Sequence, residues 1–232
     1  MTVLELADVT VGYDTPVLRG IDLAVEEGEI VGVVGKNGVG KTTLLKTVVG
    51  LLEPTEGTVT YRGTDVTGQS ADERARTGMG YIPQGRDIFP KLSVEQNLRM
   101  GEHVNDDSDE TLYDEVYDLF PVLEERADQD GGTLSGGQQQ MLALGRGLVG
   151  DNDLLLVDEP SEGLAPQIVA DVAEALAAAA RETTMLLVEQ NLPLALDLAD
   201  RFYVLDNGRV VDDGDADAVS PEDERLRRYL SA

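Results

Sequence analysis

Alternating hydrophobic and polar residues in the first third of the chain predict short strands separated by turns. Residues 3–13 (VLELADVTVGY) and 21–35 (IDLAVEEGEIVGVVG) have this pattern, and the second run ends in continuous apolar residues. Residues 58–67 (TVTYRGTDVT) add another strand pattern, with Gly63 as its expected turn. We therefore expect a β-rich opening third.

The spacing of apolar residues becomes helical between residues 93 and 127. Leu112, Val116, Leu119 and Phe120 recur at intervals of three and four residues, and an acidic run (NDDSDE) interrupts the pattern. We expect a helical subdomain at about residues 86–130.

From residue 138 onward the patterns alternate between helix and strand. The four segments are QQQMLALGRGLVG, LLLVDEP, PQIVADVAEALAAAARE and TMLLVEQ. This alternation predicts parallel strands joined by crossover helices, so the expected class is α/β. Asn207 and Gly208 predict the tight turn of a last hairpin, and residues 221–232 predict a short closing helix. No repeat or flexible linker stands out, so we expect one domain over residues 1–232.

Length and composition favour a globular protein with a sizeable core. The chain has 232 residues, of which 41% are hydrophobic. Its apolar stretches are interrupted before the roughly 20 residues that span a bilayer, and its N-terminus lacks a basic region followed by an apolar one. We expect an intracellular protein that is soluble or peripheral. The absence of cysteine excludes disulfides and thiolate metal sites.

The charge is strongly acidic, with a formal net value of −27. There are 25 Asp and 20 Glu residues against 14 Arg and 4 Lys. At low salt such a surface repels nucleic acid and anionic lipid headgroups. The acids are spread over the whole chain, which favours a solvated surface suited to high salt over one functional acidic patch. Abundant Asp with scarce Lys resembles proteins of salt-loving microbes, which concerns habitat and not activity.

A phosphate-binding loop is predicted directly after the apolar strand at residues 30–34. Residues 35–42 match GxxxxGK[ST], and an apolar-periodic helix follows. The three glycines let successive N–H groups converge on phosphate oxygens, and the helix beginning near Lys41 adds the positive end of its dipole. Lys41 is expected to reach the β- and γ-phosphates and Thr42 to bind Mg²⁺. A chance glycine-rich turn is the alternative, disfavoured by the flanking strand and helix. The predicted nucleotide-binding residues are Gly35, Lys36, Asn37, Gly38, Val39, Gly40, Lys41, Thr42 and Thr43.

Two adjacent carboxylates end the apolar strand at residues 154–157. Asp158 and Glu159 are expected to point to opposite sides of the strand and so to take different roles. Asp158 suits the Mg²⁺ shell, and Glu159 suits orienting or deprotonating the attacking water. A solvated strand end is the alternative, but the phosphate loop in the same chain favours catalysis.

A second helix start is suited to binding phosphate. Ser135 is placed to cap the helix that follows, while Gly136 and Gly137 leave its first N–H groups open to an anion. Because the chain has one evident nucleotide loop, we expect a head-to-tail dimer in which this segment covers the γ-phosphate held by the other subunit. An ordinary capped helix is the alternative.

The segments GKNGVGKTT, LSGGQ and LLLVDEP occur in this order and together resemble the ATP-binding subunit of ABC transporters over essentially the whole chain. The resemblance implies a P-loop NTPase core with a parallel sheet, an N-terminal antiparallel β subdomain and a helical subdomain. It also implies that ATP and Mg²⁺ are bound. The signature residues that would contact the ATP of the partner subunit are Ser135, Gly136, Gly137 and Gln138.

Two further positions receive roles from the resemblance. Tyr13 matches the aromatic residue that stacks on adenine, although it could also be an ordinary strand tyrosine. Gln84 matches the glutamine that touches Mg²⁺ and water where the ATPase meets the membrane subunit. The helical stretch after Gln84 would receive the coupling helix of the permease.

Two positions depart from the family pattern. Ala165 stands where most members have an aspartate, and Gln190 replaces the histidine that contacts the γ-phosphate. Gln190 can still hydrogen-bond phosphate or water, but it cannot acquire the positive charge of an imidazole. The single histidine, His103, is more typical of a surface residue than of a substitute.

These departures are similar to the smaller ATPase of branched-chain amino acid importers and to its urea-importer counterpart. GLAP and VEQN are usual in the amino acid branch, whereas GKNGVGKTT, PQGRDIFP and SGGQQQ lean toward the urea branch. The sequence mixes the two, so the substrate stays open. The resemblance implies two integral-membrane permease subunits, a second related ATPase (or a homodimer), an extracellular solute-binding protein acting indirectly, and a position at the cytoplasmic face of the cell membrane.

Two other functions are weighed against an importer ATPase. A soluble ABC-type ATPase acting on nucleic acid or ribosomes usually has two such domains or a long coiled-coil insertion, and the sequence has neither. We therefore expect no nucleic acid partner. An ATP-binding clamp without hydrolysis is suggested by Ala165 and Gln190, but Lys41, Asp158 and Glu159 argue against it.

Overall fold

Two β-sheets and the helices packed on them make up the part of the chain that the structure, a computed structural model, describes: residues 1–102, 110–150, 152–181 and 183–230. Within these ranges the strands are β1 (Thr2–Gly12), β2 (Pro16–Glu26), β3 (Ile30–Val34), β4 (Glu56–Tyr61), β5 (Thr64–Asp65), β6 (Met79–Ile82), β7 (Leu154–Asp158), β8 (Thr184–Glu189), β9 (Arg201–Asp206) and β10 (Arg209–Asp215). The α-helices are α1 (Lys41–Val48), α2 (Ala71–Ala75), α3 (Val94–Arg99), α4 (Glu110–Leu119), α5 (Pro121–Glu124), α6 (Gly136–Leu148), α7 (Pro166–Ala179), α8 (Leu192–Leu198) and α9 (Glu224–Leu230).

The opening third forms an antiparallel sheet, as the alternating pattern predicts. Its strand order is β2-β1-β4-β5, and Gly63 lies in the turn between β4 and β5. β1 pairs with β2 on one side and with β4 on the other. The prediction of a β-rich beginning is confirmed.

The second sheet has six strands in the order β10-β9-β3-β8-β7-β6. Its central neighbours are parallel, and only the β9–β10 hairpin pairs antiparallel, around the predicted Asn207–Gly208 turn. The carboxyl ends of β3, β8 and β7 therefore meet at one edge. Since parallel sheets bind ligands at this edge, the topology brings the phosphate loop and the polar ends of β7 and β8 together.

The central strands of the six-stranded sheet are buried on both faces. Alternate residues of β3 contribute to different core clusters: Ile30 and Val34 to one, Val31 and Val33 to the other. One cluster includes apolar residues of α6, α7 and α8, and the other joins the sheet to α1 and the antiparallel sheet. Every residue of β3, β7 and β8 is buried, which explains why these strands are continuous apolar runs.

The predicted helical region contains α3, α4 and α5, which contact α6. Val116 and Phe120, taken from the helical spacing, are buried there. His103 and most of the acidic run lie outside the described residues. Among those that are described, no helix has the length and apolar character needed to cross a bilayer.

Candidate active site

The phosphate loop between β3 and α1 presents a helix start that no side chain caps. Gly40 occupies the N-cap with φ of 114°, and a Cβ there would lie 2.5 Å from a methyl carbon of Leu18. The first turn of α1 contains no acidic residue. Its N–H groups and the positive end of its dipole are therefore available to an anion, which is the chemistry a phosphate group requires.

Lys41 is held inside this loop and is only 3% exposed. Its Nζ donates to the carbonyl oxygens of Gly35 at 2.7 Å and Lys36 at 3.0 Å. It also forms an ion pair with Glu159 Oε1 at 2.9 Å. These three partners match the three N–H donors of an ammonium group. Phosphate oxygens would therefore compete with Glu159 and the loop carbonyls for the same donors.

Asp158 faces the first turn of α1 from the end of β7. Its Oδ1 accepts a hydrogen bond from Thr42 Oγ1, and its Oδ2 accepts one from Tyr81 OH, both at 3.2 Å. Burial raises the pKa of Asp158, while the bonds from Thr42 and Tyr81 oppose that rise. A hydroxyl oxygen beside a carboxylate is a donor set of the hard kind that Mg²⁺ prefers. Thr42 and Asp158 thus fit a magnesium ion at the phosphate loop.

Glu159 leaves the strand in a left-handed conformation, with φ of 45°. Its N–H donates to Val188 O at 2.9 Å, and its buried side chain turns back to Lys41. This differs from the expected placement of the two carboxylates on opposite sides, because both contact the first turn of α1. The break from strand geometry at Glu159 is the reason. For a residue other than glycine such a conformation costs about 1–3 kcal/mol and is typical of functional sites.

The polar row at the end of β8 consists of three residues in different environments. Glu189 is buried, and its carboxylate accepts hydrogen bonds from backbone N–H groups, including that of Ser161. Gln190 is exposed at the strand end. Asn191 caps α8, since its Oδ1 accepts from the N–H of Leu194 at 3.4 Å. Glu189 received no predicted role from the sequence, although an acidic residue at the end of a continuous apolar strand is a signal of a functional position.

The site carries an excess of buried negative charge. Among the described residues at this sheet edge, three carboxylates (Asp158, Glu159 and Glu189) and one ammonium group, that of Lys41, are buried. Burial is also the main cause that raises the pKa of Glu189. A polyanionic nucleotide would be repelled by this excess unless a cation accompanied it, so the charge balance favours binding together with a divalent metal.

Gln84 lies after β6, at the same edge of the sheet. Its Nε2 donates to Glu162 Oε2 at 2.8 Å, so the structure links it to the turn that follows Glu159. Gly85, Arg86 and Asp87, which come next, have φ of 91°, 76° and 42°. Three successive residues with positive φ bend the chain sharply from β6 toward the helical region.

Tyr13 lies in the turn between β1 and β2 and is 68% exposed. It is therefore not an ordinary core tyrosine of the antiparallel sheet. An exposed ring presents a face on which a planar base could stack.

The predicted capping role of Ser135 is confirmed. Ser135 Oγ accepts from the N–H of Gln138 at 3.3 Å, and Gln138 Oε1 accepts from the N–H of Ser135 at 3.0 Å. Ser135 and Gly136 are exposed. Within the described residues, no hydrogen bond joins the segment Ser135–Gln138 to the phosphate loop. In the described part of one copy of the chain, the helix start predicted to bind a second phosphate is therefore not hydrogen-bonded to the phosphate loop.

Comparisons with known proteins agree with this geometry. A sequence model of the ABC transporter family matches residues 18–162. The chain is 45% identical to the high-affinity branched-chain amino acid transport ATP-binding protein BraG of Pseudomonas aeruginosa, over 88% of this chain and 90% of that protein. It is 35% identical to the phosphate import ATP-binding protein PstB 2 of Natronomonas pharaonis, over 98% and 86% of the two chains.

The fold is also similar to that of solved structures. A dimeric ATP-binding cassette in a post-hydrolysis state, bound to ADP and Pi, superposes with a TM-score of 0.81 at 25% identity, covering 92% of this chain and 98% of that one. The predicted α/β P-loop fold of an ABC ATPase is confirmed. The chain therefore belongs to the ABC transporter family and is an ATP-binding domain of that family, an ATPase.

Proposed function

We propose that the chain is the ATP-hydrolysing motor subunit of an ABC importer and acts together with Mg²⁺. One observation carries the proposal: Lys41 joins the phosphate loop to Glu159, while Thr42 joins it to Asp158. Phosphate binding and water activation are thereby combined at one sheet edge.

The contacts of Lys41 suggest how binding prepares catalysis. ATP phosphates bind the loop residues 35–43 and the start of α1, and they draw the N–H donors of Lys41 away from Glu159. The Glu159 carboxylate is then free to orient a water molecule and accept its proton. Thr42 and Asp158, with Gln84, would hold Mg²⁺, which would supply positive charge to neutralise the phosphates. Gln190 hydrogen-bonds the γ-phosphate, and Tyr13 stacks on adenine.

A second subunit completes each ATP site. Ser135, Gly136, Gly137 and Gln138 are exposed or half-buried at the start of α6, and among the described residues none of them hydrogen-bonds to the phosphate loop. In a head-to-tail dimer these residues cover the γ-phosphate bound by the partner. The subfamily resemblance supports a related second ATPase as partner, and a homodimer is the alternative.

The membrane partner docks beside Gln84. Phe89 and Met100 are exposed large apolar residues near this segment, and the guanidinium of Arg146 lies 5.3 Å from the centre of the Phe89 ring. Exposed large apolar side chains suit a protein interface. We assign it to two integral-membrane permease subunits, which places the chain peripherally at the cytoplasmic membrane face. A solute-binding protein then acts only indirectly, and no nucleic acid partner is involved.

The transported solute is a branched-chain amino acid. The similarity to BraG and the GLAP and VEQN segments support this choice over the urea importers. The similarity to a phosphate importer shows that a protein about 35% identical to this chain can belong to a transporter of a different solute. The assignment is tested by identifying the solute-binding protein of the assembled transporter and measuring which solutes it binds. Tight binding of urea, and none of leucine, isoleucine or valine, would overturn it.

The acidic surface supports a protein that works at high salt. The net charge of −27 is spread along the chain and does not form one patch. This proposal concerns the conditions of activity and is independent of the transported solute.

The catalytic assignment is tested with Glu159→Gln. We expect ATP turnover, measured as phosphate release by the assembled transporter, to fall by about 10²-fold or more, since general-base catalysis contributes factors of that size. Binding of MgATP should persist. Glu174→Gln, an exposed change on α7, is the matched control and should leave turnover unchanged.

Unchanged turnover in Glu159→Gln would show that another group activates water. Binding of MgATP without phosphate release in the unmodified protein would favour the clamp function instead.

A further inference from the structure

The last residue of β8 is a carboxylate in the interior of the protein. Glu189 is 2% exposed and follows five buried residues of the same strand. An ionised carboxylate without partners in such a place costs several kcal/mol. The hydrogen-bond partners of Glu189 therefore indicate its role in the structure.

Backbone N–H groups are the hydrogen-bond partners of this side chain. Oε2 accepts from Gln190 at 3.0 Å and from Asn191 at 3.1 Å, and Oε1 accepts from Ser161 at 3.0 Å. In the described part of the chain no lysine or arginine forms an ion pair with Glu189. Several N–H donors directed at one carboxylate stabilise its charged form.

The bond to Ser161 joins segments that are 28 residues apart in sequence. Ser161 belongs to the turn directly after Glu159 and Pro160. The main chain of Glu189 also touches the phosphate loop, since its carbonyl oxygen accepts from the N–H of Gly35 at 3.4 Å. Glu189 thus contacts the phosphate loop, the turn after Glu159 and the segment beginning at Gln190.

The turn after Glu159 needs such support. Glu159 has a left-handed backbone, which persists only where surrounding contacts fix it. Two of the contacts that fix this turn reach β8: the N–H bond of Glu159 to Val188 O at 2.9 Å, and the bond from Ser161 N–H to Glu189. The two bonds hold both sides of the strained residue against adjacent positions of β8.

We propose that Glu189 is a positioning residue of the ATPase: its carboxylate fixes the turn that carries Glu159 and the backbone of Gln190 relative to the phosphate loop. The inference rests on the proposed catalytic role of Glu159. Glu189 itself need not touch the nucleotide. Its loss should therefore lower turnover and leave nucleotide affinity nearly unchanged.

Two substitutions distinguish the bonds from the neighbouring N–H groups of Gln190 and Asn191 from the bond to the distant N–H of Ser161. Glu189→Gln keeps the length of the side chain but replaces one acceptor oxygen by an NH₂ group, which cannot accept from an N–H. Glu189→Asp keeps the charge and can bond the following N–H groups, as aspartate does in Asx turns, but it is one methylene too short for Ser161. Glu189→Asp also serves if Glu189→Gln does not fold.

The matched control is Glu29→Gln, at the opposite end of the same sheet. Glu29 also accepts a backbone bond, from the N–H of Glu26 at 2.8 Å, and pairs with Arg201 at 3.3 Å. Its loss affects stability without involving the nucleotide edge.

Two readouts test the proposal on the full chain: amide hydrogen exchange at Ser161 and Gln190, and ATPase kinetics of the assembled transporter. We expect Glu189→Asp to expose Ser161 to exchange and to leave Gln190 protected. Glu189→Gln keeps one acceptor oxygen, so it should lose protection at Ser161 or at Gln190 but not at both. Both should lower kcat, by about tenfold in Glu189→Gln, with KM for ATP changed less than about twofold. Glu29→Gln should change none of these values.

Unchanged exchange at Ser161 in Glu189→Asp, or an equal loss of kcat in Glu29→Gln, would overturn the positioning role. An inactive unmodified protein would instead contradict the proposed function, while amide exchange would still decide whether Glu189 holds the turn.

Discussion

Asp158 combines a proposed metal-binding role with an unfavourable position for folding. Burial raises its pKa, so the folded state holds a proton on this carboxyl more tightly than the unfolded state does. Its ionised form therefore lowers stability at neutral pH, and this cost disappears as the pH falls through the folded-state pKa. We predict that Asp158→Asn raises the free energy of unfolding without nucleotide at pH 7, by about 1 kcal/mol.

The measurement is thermal unfolding with and without MgATP. The stabilisation by MgATP should shrink in Asp158→Asn because the Mg²⁺ ligand is lost. The exposed Asp197→Asn is the control and should change neither value. A decrease in stability without nucleotide would mean that the bonds from Thr42 and Tyr81 outweigh the cost of burial.

Gln190 replaces a residue that could carry charge, and its side chain is exposed at the end of β8. If it senses phosphate by hydrogen bonding, Gln190→Ala should lower ATP turnover, while Gln190→His should retain turnover and make it depend on pH between about 5 and 8. ATPase assays over that range check both variants. Full turnover in Gln190→Ala would assign Gln190 a structural role at the strand end.

At the scale of elements, α1 is fixed at the end opposite the phosphate loop by a buried arginine. Arg74 of α2 donates to the carbonyl oxygens of Thr47 at 2.9 Å and Val48 at 2.6 Å, in the last turn of α1. It also donates to Val66 at 2.6 Å and Thr67 at 3.0 Å. One guanidinium thus closes the carboxyl end of α1 and orders the loop before α2.

We predict that Arg74→Lys lowers the free energy of unfolding by about 2–4 kcal/mol, because a single ammonium group cannot bond both pairs of carbonyls. Denaturant unfolding measures the loss. Arg76→Lys is the control: Arg76 lies in the same segment but is exposed, and its pair with Asp72 is screened by water and contributes little to stability. Equal losses in the two variants would contradict a specific role for Arg74.

The elements that could be predicted from sequence are those whose pattern is local. The phosphate loop, the strand before Asp158 and the capped helix at Ser135 each consist of neighbouring residues, so spacing alone predicted them. The partners of Arg74 and Glu189 could not be found in this way, because they are backbone groups many positions away. The left-handed turn at Glu159 also has no signal in residue type, since that conformation is rare for glutamate.

At the scale of the whole molecule, the charge is far from balance. The sequence has 45 acidic against 18 basic residues, and part of the basic set is already paired or buried, as Lys41 and Arg74 are. Repulsion among the remaining carboxylates therefore opposes the compact state, where they are closer together than in the unfolded chain. This repulsion acts over the Debye length, which falls from about 10 Å at 0.1 M salt to about 3 Å at 1 M.

We predict that the midpoint of thermal unfolding rises as KCl is increased from about 0.1 to 2 M, because screening weakens this repulsion. KCl is preferred to sulfate, which would also strengthen the burial of apolar groups. A combined variant, Glu53→Gln, Glu56→Gln and Glu222→Gln, removes three exposed charges and should be less sensitive to KCl than the unmodified chain. If the unfolding midpoints of both proteins rose equally with KCl, the rise would come from a general salt effect and not from screening of these charges. A midpoint that fell with KCl would contradict adaptation to high salt.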